Sequence, residues 1–167
     1  IDSKTHRLFI NSEGGDILLG MELGDLVYHN QLDVEVGDFC FSSCANYVFV
    51  AGKTKWIHEK SQIGWHGGAY QVMDFTNDPS MQSAYEAYIK PAQQKETAFF
   101  QKIGVKQVST TYGQHAQFDK YSDCVGWTYS LKAMSQLGIT NVYLLDKVWH
   151  PSGSFQGKCI FEVTETK

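Results

Sequence analysis

The sequence predicts an α/β domain with a mostly parallel sheet. Short apolar strands alternate with segments of helical periodicity along 167 residues, and this alternation is typical of parallel strands joined by helical crossovers. Hydrophobic residues make up 43% of the chain and aromatic residues 14%, which favours well-packed layers over disorder. We find no internal repeat, low-complexity segment or linker, so residues 1–167 are predicted to form a single domain.

The first elements follow from hydrophobic spacing and a helix start signal. Residues 8–10 are apolar and predict a strand. Asp16 is a predicted N-cap, and leucines at helical spacing after it predict a helix over residues 17–29. Val34 and Val36 alternate with polar residues and predict the next strand.

The middle of the chain predicts a buried helix and two short strands. Residues 45–51 are mostly apolar and end at Gly52, which is typical of a helix with a glycine stop. Residues 56–57 and 62–65 predict two strands around a turn.

The second half predicts two helices and two further strands. A start signal at residues 77–80 precedes a long amphipathic helix that extends to residue 103, and Pro91 is expected to kink or interrupt it. Residues 128–137, closed by Gly138, predict a shorter helix. Predicted strands at 142–145 and 159–163 are separated by a turn at 151–153.

Charge and hydropathy exclude two classes of partner. The net charge is −4 and no stretch is rich in Lys or Arg, so we expect no nucleic-acid ligand. No apolar run is long enough to cross a bilayer, so we expect no membrane span.

The four cysteines stand at positions 40, 44, 124 and 159. An even count allows three disulfide pairings and is consistent with an oxidising compartment, but buried free thiols fit the count equally well. No Cys-x-x-Cys spacing points to zinc, and we expect no cofactor or metal.

A possible nucleophile site is the most informative feature of the sequence. Ser42 and Ser43 open the apolar helix, His66 follows a strand, and Gly14-Gly15 form a turn after the first strand. These are the parts of a serine nucleophile, its general base and an oxyanion hole built from backbone N–H groups. Each part has a simpler interpretation, because serines often cap helices, histidines often pack in cores, and glycine pairs often end strands.

These motifs resemble the ClpP-type serine proteases, which share the crotonase-like spiral of ββα units. The resemblance is carried by Ile-Asn-Ser-Glu-Gly-Gly at 10–15, by the serine and the apolar run to Gly52, and by His-Gly-Gly at 66–68. The Cys-x-Ser-Ser-Cys-Ala motif at 40–45 is similar to the periplasmic ClpP-like proteins. The likeness covers residues 8–68 and part of 123–142, and it does not extend to the last 25 residues.

The resemblance implies a role for each site residue. Spacing to Gly52 matches Ser43 to the family's nucleophile, with Ser42 as the rival one residue away. His66 corresponds to the base, and Asp123 to the acid that orients it. Asp119 competes with Asp123, because this stretch has no motif.

The family's oxyanion hole matches two backbone amides of this chain. They are the N–H groups of Gly15 and Cys44. Glu13 stands where proline is common in the cytosolic family, a difference that leaves the backbone donors in place.

The resemblance also implies properties of the whole protein. It implies an extended peptide substrate and a periplasmic or secreted location. It also implies that the predicted long helix protrudes from the sheet and forms the contact between copies of the chain in a homo-oligomer. Because the family has another strand and helix before its Gly-Gly turn, it further implies that this chain lacks that first unit.

Three alternatives remain open at this point. The domain could be a catalytically inactive peptide- or protein-binding module on the same fold. It could be a crotonase-type acyl-CoA enzyme, although the sequence has no basic cluster for the CoA phosphates. Cys44 could act as a thiol nucleophile, an option that a disulfide would remove.

Overall fold

A computed structural model describes residues 6–71, 80–151 and 153–166. Its strands are β1 (Arg7–Ser12), β2 (Asp33–Phe41), β3 (Lys55–Ile57), β4 (Gln62–Gly64), β5 (Gly126–Tyr129), β6 (Val142–Leu144), β7 (Gly153–Phe155) and β8 (Lys158–Val163). Its α-helices are α1 (Ile17–His29), α2 (Ser80–Ile103) and α3 (Leu131–Gln136), and a π-helix spans Cys44–Phe49. Three short 3₁₀ segments lie between residues 107 and 121.

The strands form two sheets, and the prediction of an α/β fold with mostly parallel pairing is confirmed. In the main sheet the order is β1-β2-β3-β6, and β4 pairs with the last part of β2, beyond β3. All of these pairs are parallel. The second sheet has the order β5-β8-β7, in which β5 and β8 are parallel and β7 and β8 antiparallel. A bridge between Trp65 and Trp127 links the two sheets just beyond β4.

Helix α1 has the bounds that the sequence predicts. The Asp16 carboxylate accepts a hydrogen bond from the Leu19 N–H at 2.9 Å, which confirms it as the N-cap. One face of the helix buries Met21, Gly24 and Val27. At Gly24 an added Cβ would lie 2.5 Å from the Tyr47 carbonyl oxygen, so a glycine is needed where α1 crosses the π-helix.

The helix predicted at residues 45–51 exists, but its centre has π-helical rather than α-helical hydrogen bonding. All six residues of the Cys44–Phe49 segment are buried. Tyr47 packs edge-on against Phe99 of α2, with ring centroids 5.7 Å apart. π-Helical turns are rare overall, but many of those known occur at functional sites. The hydrophobic pattern of the sequence does not distinguish a π-helical turn from an α-helical one.

Helix α2 is continuous through Pro91, so the expected interruption is not observed. Proline has no N–H, so the helical hydrogen bond from residue 91 to the carbonyl of Ala87 is missing. Both Ala87 and Pro91 are exposed. Water can therefore hydrate the carbonyl that the proline leaves without an N–H partner. The opposite face is buried and contains Ile89, Ala92, Glu96, Phe99 and Phe100.

The helix predicted from residue 128 starts too early. Residues 128 and 129 belong to β5, and α3 begins after Ser130, whose hydroxyl accepts from the Ala133 N–H at 3.1 Å. All four residues of β5 are buried, so their pattern shows no strand alternation. Strand β7 was not predicted, and parts of the start signal at 77–80 and of the turn at 151–153 lie outside the described residues.

Candidate active site

The candidate site lies where three parallel strands of the main sheet end. Strand β1 ends just before Gly14, β2 ends directly before Ser42, and β4 ends two residues before His66. The carboxyl ends of parallel strands are the usual place for a site in open α/β sheets. Segments far apart in sequence therefore meet at one edge of the sheet.

Ser42 and His66 lie within hydrogen-bond distance of each other. His66 Nε2 is 2.7 Å from Ser42 Oγ. In the tautomer that carries its proton on Nδ1, the imidazole accepts the hydroxyl proton at Nε2. This is the relation between a nucleophile and its general base.

Ser42 occupies a strained corner of the backbone. Its φ is +58°, in the left-handed region that non-glycine residues rarely adopt. The corner is held at both ends, because the Ser42 N–H donates to the Gly64 carbonyl at 2.9 Å and the Ser42 carbonyl accepts from the Asn46 N–H at 2.8 Å. A serine on a sharp strand-to-helix turn presents its hydroxyl to the space above the sheet, as in the nucleophile elbow of hydrolases.

Ser43, the nucleophile expected from family spacing, has a different environment. Its hydroxyl donates to the Gly15 carbonyl at 2.8 Å, and its side chain is buried under α1 against Gly20. Strand β2 continues through Phe41, and Ser42 follows it in the left-handed conformation. This backbone turn places the Ser42 side chain toward His66 and the Ser43 side chain under α1. The pairing with His66 is therefore corrected from Ser43 to the rival Ser42, and Ser43 instead supports the Gly14-Gly15 turn.

The imidazole of His66 is partly desolvated. It stacks with the ring of Phe41 at a centroid distance of 5.5 Å and an interplanar angle of 6°. This burial lowers the pKa of His66 below its ordinary value, although part of the residue remains exposed to solvent. A lowered pKa keeps the imidazole neutral near pH 7, the state in which it can accept a proton.

Neither predicted acid is placed to orient His66. Asp123 and Asp119 are both exposed, and among the described residues no carboxylate forms a hydrogen bond with the His66 ring. Asp119 lines a cavity that His66 also lines, whereas Asp123 does not. Asp123 is therefore not in hydrogen-bond contact with His66 in this structure, contrary to what the resemblance implies. The observed unit is a Ser42–His66 dyad.

Two backbone amides next to Ser42 are candidate oxyanion donors. The Gly14 N–H donates to the Ser12 hydroxyl at 3.1 Å, but the N–H groups of Gly15 and Ser43 find no acceptor among the described residues. An added Cβ on Gly14 would lie 2.6 Å from Ser42 Cβ and 2.8 Å from the Ser43 nitrogen. The turn and the serine corner are therefore in direct contact. The resemblance pairs a Ser43 nucleophile with the N–H of the next residue, Cys44. With Ser42 at the corner, the next residue is Ser43, so the candidate donor is the Ser43 N–H and not the Cys44 N–H.

Two disulfides bracket the site. Cys40 is bonded to Cys44, and Cys124 to Cys159, so all four cysteines of the chain are paired. The first bridge spans the Ser42 corner itself. It also removes the option of a Cys44 thiol nucleophile.

Sequence reasoning missed several residues around the dyad. Phe41 and Gln114 both contact His66, the second by donating from Nε2 to the His66 carbonyl at 3.2 Å. Phe155 of β7 stacks with Phe41 at 4.6 Å. Their only signal in the sequence was an aromatic residue directly before the serine pair.

Two sequence comparisons with known proteins find no relative. A scan against models of protein families finds no match, and a search of characterised proteins finds no similar sequence. Within residues 6–71, 80–151 and 153–166, no helix combines the length and hydrophobicity needed to cross a membrane. The same residues contain no cluster of three or more His, Cys, Asp or Glu side chains that could hold a metal ion.

Proposed function

We propose that this protein is a serine hydrolase that cleaves peptide bonds with the Ser42–His66 dyad. The observation that carries the proposal is the 2.7 Å distance between His66 Nε2 and Ser42 Oγ. The strained backbone of Ser42 and the lowered pKa of His66 support it independently.

The reaction begins with attack of Ser42 Oγ on the substrate carbonyl carbon. His66 Nε2 takes the hydroxyl proton as the new C–O bond forms, and the carbonyl oxygen becomes an oxyanion. The imidazolium then gives this proton to the leaving amine as the C–N bond breaks, leaving an ester on Ser42. Water, deprotonated by His66, hydrolyses the ester and restores the free hydroxyl.

The amides of Gly15 and Ser43 are the proposed donors to the oxyanion. In this arrangement Ser43 is a positioning residue, because its hydroxyl holds the Gly15 carbonyl and thereby the conformation of the turn. Loss of one oxyanion donor in other enzymes lowers kcat by about 10²–10³.

A peptide is the proposed substrate because of the sheet edge beside the site. Strand β1 lies at the edge of the main sheet and runs directly into the Gly14-Gly15 turn. An extended peptide can add to such an edge through main-chain hydrogen bonds. The resemblance to ClpP-type proteases and their spiral fold supports the same substrate class.

Labelling with a fluorophosphonate tests this proposal. The reagent is expected to modify Ser42 in the wild-type protein, and Ser42→Ala and His66→Gln are expected to abolish labelling. Ser43→Ala is the matched control, since it removes the neighbouring hydroxyl and should slow labelling without preventing it. Labelling that survives Ser42→Ala, or a wild-type protein that never reacts, would rule out the dyad as a nucleophile.

A catalytically inactive binding module is the second candidate. It is favoured by one observation, the absence of a carboxylate on His66 among the described residues. A module would bind peptides equally well with Ser42 or Ala at position 42 and would release no products. Product analysis by mass spectrometry separates the two candidates.

Assembly and location form part of the proposal. Residues 80–88 at the start of α2 are largely exposed, and Leu19 and Leu26 of α1 are 66% and 52% exposed, which supports contact between copies of the chain. Analytical ultracentrifugation tests whether a homo-oligomer forms. Two disulfides support a periplasmic or secreted location, where such bonds persist.

A further inference from the structure

A cavity of about 280 Å³ opens beside the dyad. It is lined by Phe41, His66, Val125, Phe155, Gln156 and Lys158. Half of these residues belong to the β7–β8 hairpin (residues 153–163), which lies in the part of the chain with no likeness to ClpP-type proteases. Half of the cavity lining is therefore built by a segment that the resemblance does not reach.

Aromatic rings form one wall of the cavity. Phe41 is nearly parallel to Phe155, with an interplanar angle of 4° and a centroid distance of 4.6 Å, and it is also nearly parallel to His66. Flat apolar rings provide stacking surface for another ring. The wall continues to the catalytic imidazole, so a ligand in the cavity would lie next to the reacting atoms.

The hairpin is fixed relative to the site by contacts at its turn and at its second strand. Gln156 Nε2 donates to Glu13 Oε1 at 3.0 Å, and Glu13 directly precedes the Gly14-Gly15 turn. Cys159 is bonded to Cys124, in the loop that leads to β5. A pocket built on such a fixed element can select a substrate by shape.

We propose that this cavity binds an aromatic side chain of the peptide substrate, at the residue that follows the scissile bond. The inference rests on the proposed function. His66 must deliver its proton to the leaving amine, so the residue on the amine side of the bond lies beside the imidazole. The volume suffices, because a cavity of about 150 Å³ already holds benzene. Lys158, an exposed residue of the lining, disfavours Lys and Arg side chains by charge repulsion, since none of the described residues that line the cavity is acidic.

Cleavage of a peptide series tests the inference. Each peptide is a hexamer of Ala and Gly with Phe, Ala or Lys scanned through all six positions, and products are identified by mass spectrometry. We expect Phe directly after the cleaved bond to raise kcat/KM at least about tenfold over Ala, and Lys there to lower it.

Two variants of the cavity wall and one control complete the design. Phe155→Ala is expected to remove the preference for Phe, and Phe155→Leu to retain part of it and to keep the hairpin packed. Tyr143→Ala, a change at a 51% exposed aromatic residue that packs on Trp56 of β3, is expected to leave the preference unchanged.

The outcomes separate this inference from the proposed function. Fluorophosphonate labelling of Ser42 involves no residue on the amine side, so Tyr143→Ala should label at the wild-type rate. The Phe155 variants are compared by the ratio of kcat/KM for the Phe peptide to that for the Ala peptide, a ratio that cancels any change in the reactivity of the dyad itself. The inference alone is overturned if the wild-type protein is labelled but cleaves without a preference for Phe after the scissile bond. It is also overturned if the preference for Phe applies to the residue before that bond. Absence of labelling in the wild-type protein overturns both.

Discussion

The substitution Gly14→Ala tests whether the glycine turn and the serine corner are packed as described. Gly14 has a φ of +94°, which costs an alanine about 1–2 kcal/mol. The new Cβ would lie 2.6 Å from both the Phe41 carbonyl oxygen and Ser42 Cβ. Overpacking of this kind adds about 1–3 kcal/mol, so we expect a total loss of about 2–5 kcal/mol in the free energy of unfolding.

Gly104→Ala is the matched control for the backbone part of this loss. Gly104 also has a positive φ, +72°, but an added Cβ would meet no atom within 4 Å. Both substitutions reduce the entropy of the unfolded chain alike, so the difference between them isolates the steric contact. We expect Gly14→Ala to be less stable than Gly104→Ala by about 1–3 kcal/mol.

Urea unfolding followed by tryptophan fluorescence measures this difference, and fluorophosphonate labelling measures its effect on the site. A difference of about 1–3 kcal/mol corresponds to roughly 2–12 °C in Tm for a chain of this size. Labelling of Ser42 is expected to be lost in Gly14→Ala and retained in Gly104→Ala. Equal stability of the two variants, together with equal labelling, would refute the packing of Gly14 on Ser42.

Three further predictions concern titratable groups and disulfides. The rate of fluorophosphonate labelling should fall at acid pH with an apparent pKa below about 6.5, because burial lowers the pKa of His66 and only the neutral imidazole accepts a proton. A pH–rate profile of labelling measures this pKa. Lys55 is buried with a pKa lowered to about 8, so the folded protein loses this proton before the unfolded chain does, and the free energy of unfolding should rise by about 1–3 kcal/mol between pH 8 and 10. Urea unfolding at the two pH values should show no such rise in Lys55→Met. Replacing Cys124 and Cys159, 35 residues apart, by serine should cost about 4 kcal/mol in thermal or urea unfolding; a loss below about 1 kcal/mol would contradict a structural role for this bridge.

The elements that follow from local chemistry were predicted well from the sequence. The bounds of α1 were predicted because an N-cap and helical spacing of apolar residues are encoded in adjacent residues. The face that packs was not: Leu19 and Leu26 are exposed, and the helix buries Met21, Gly24 and Val27. Strand–helix alternation likewise predicts parallel pairing. By contrast, Trp127 and Tyr129 of β5 are buried by contacts with distant residues, and no local pattern distinguishes such a strand from the start of a helix.

The candidate site was predicted in its parts but not in its register. The sequence brought the serine pair, His66 and the glycine turn together, yet the choice between Ser42 and Ser43 depends on one backbone angle. That angle is set by tertiary contacts, among them the Ser42 N–H to the Gly64 carbonyl, and not by the serine itself. The hairpin that carries Phe155 is held near the site by the long-range pairing of β8 with β5, for which the sequence has no local signal.

The left-handed backbone at position 42 has a consequence for the stability of the protein. Glycine adopts this conformation without steric strain, whereas serine loses about 1–2 kcal/mol there, which exceeds the roughly 0.5–1 kcal/mol of extra backbone entropy that glycine loses on folding. Ser42→Gly is therefore expected to raise the free energy of unfolding and to abolish labelling by the fluorophosphonate. Under the proposed function, the hydroxyl at this position therefore exchanges part of the stability of the protein for reactivity.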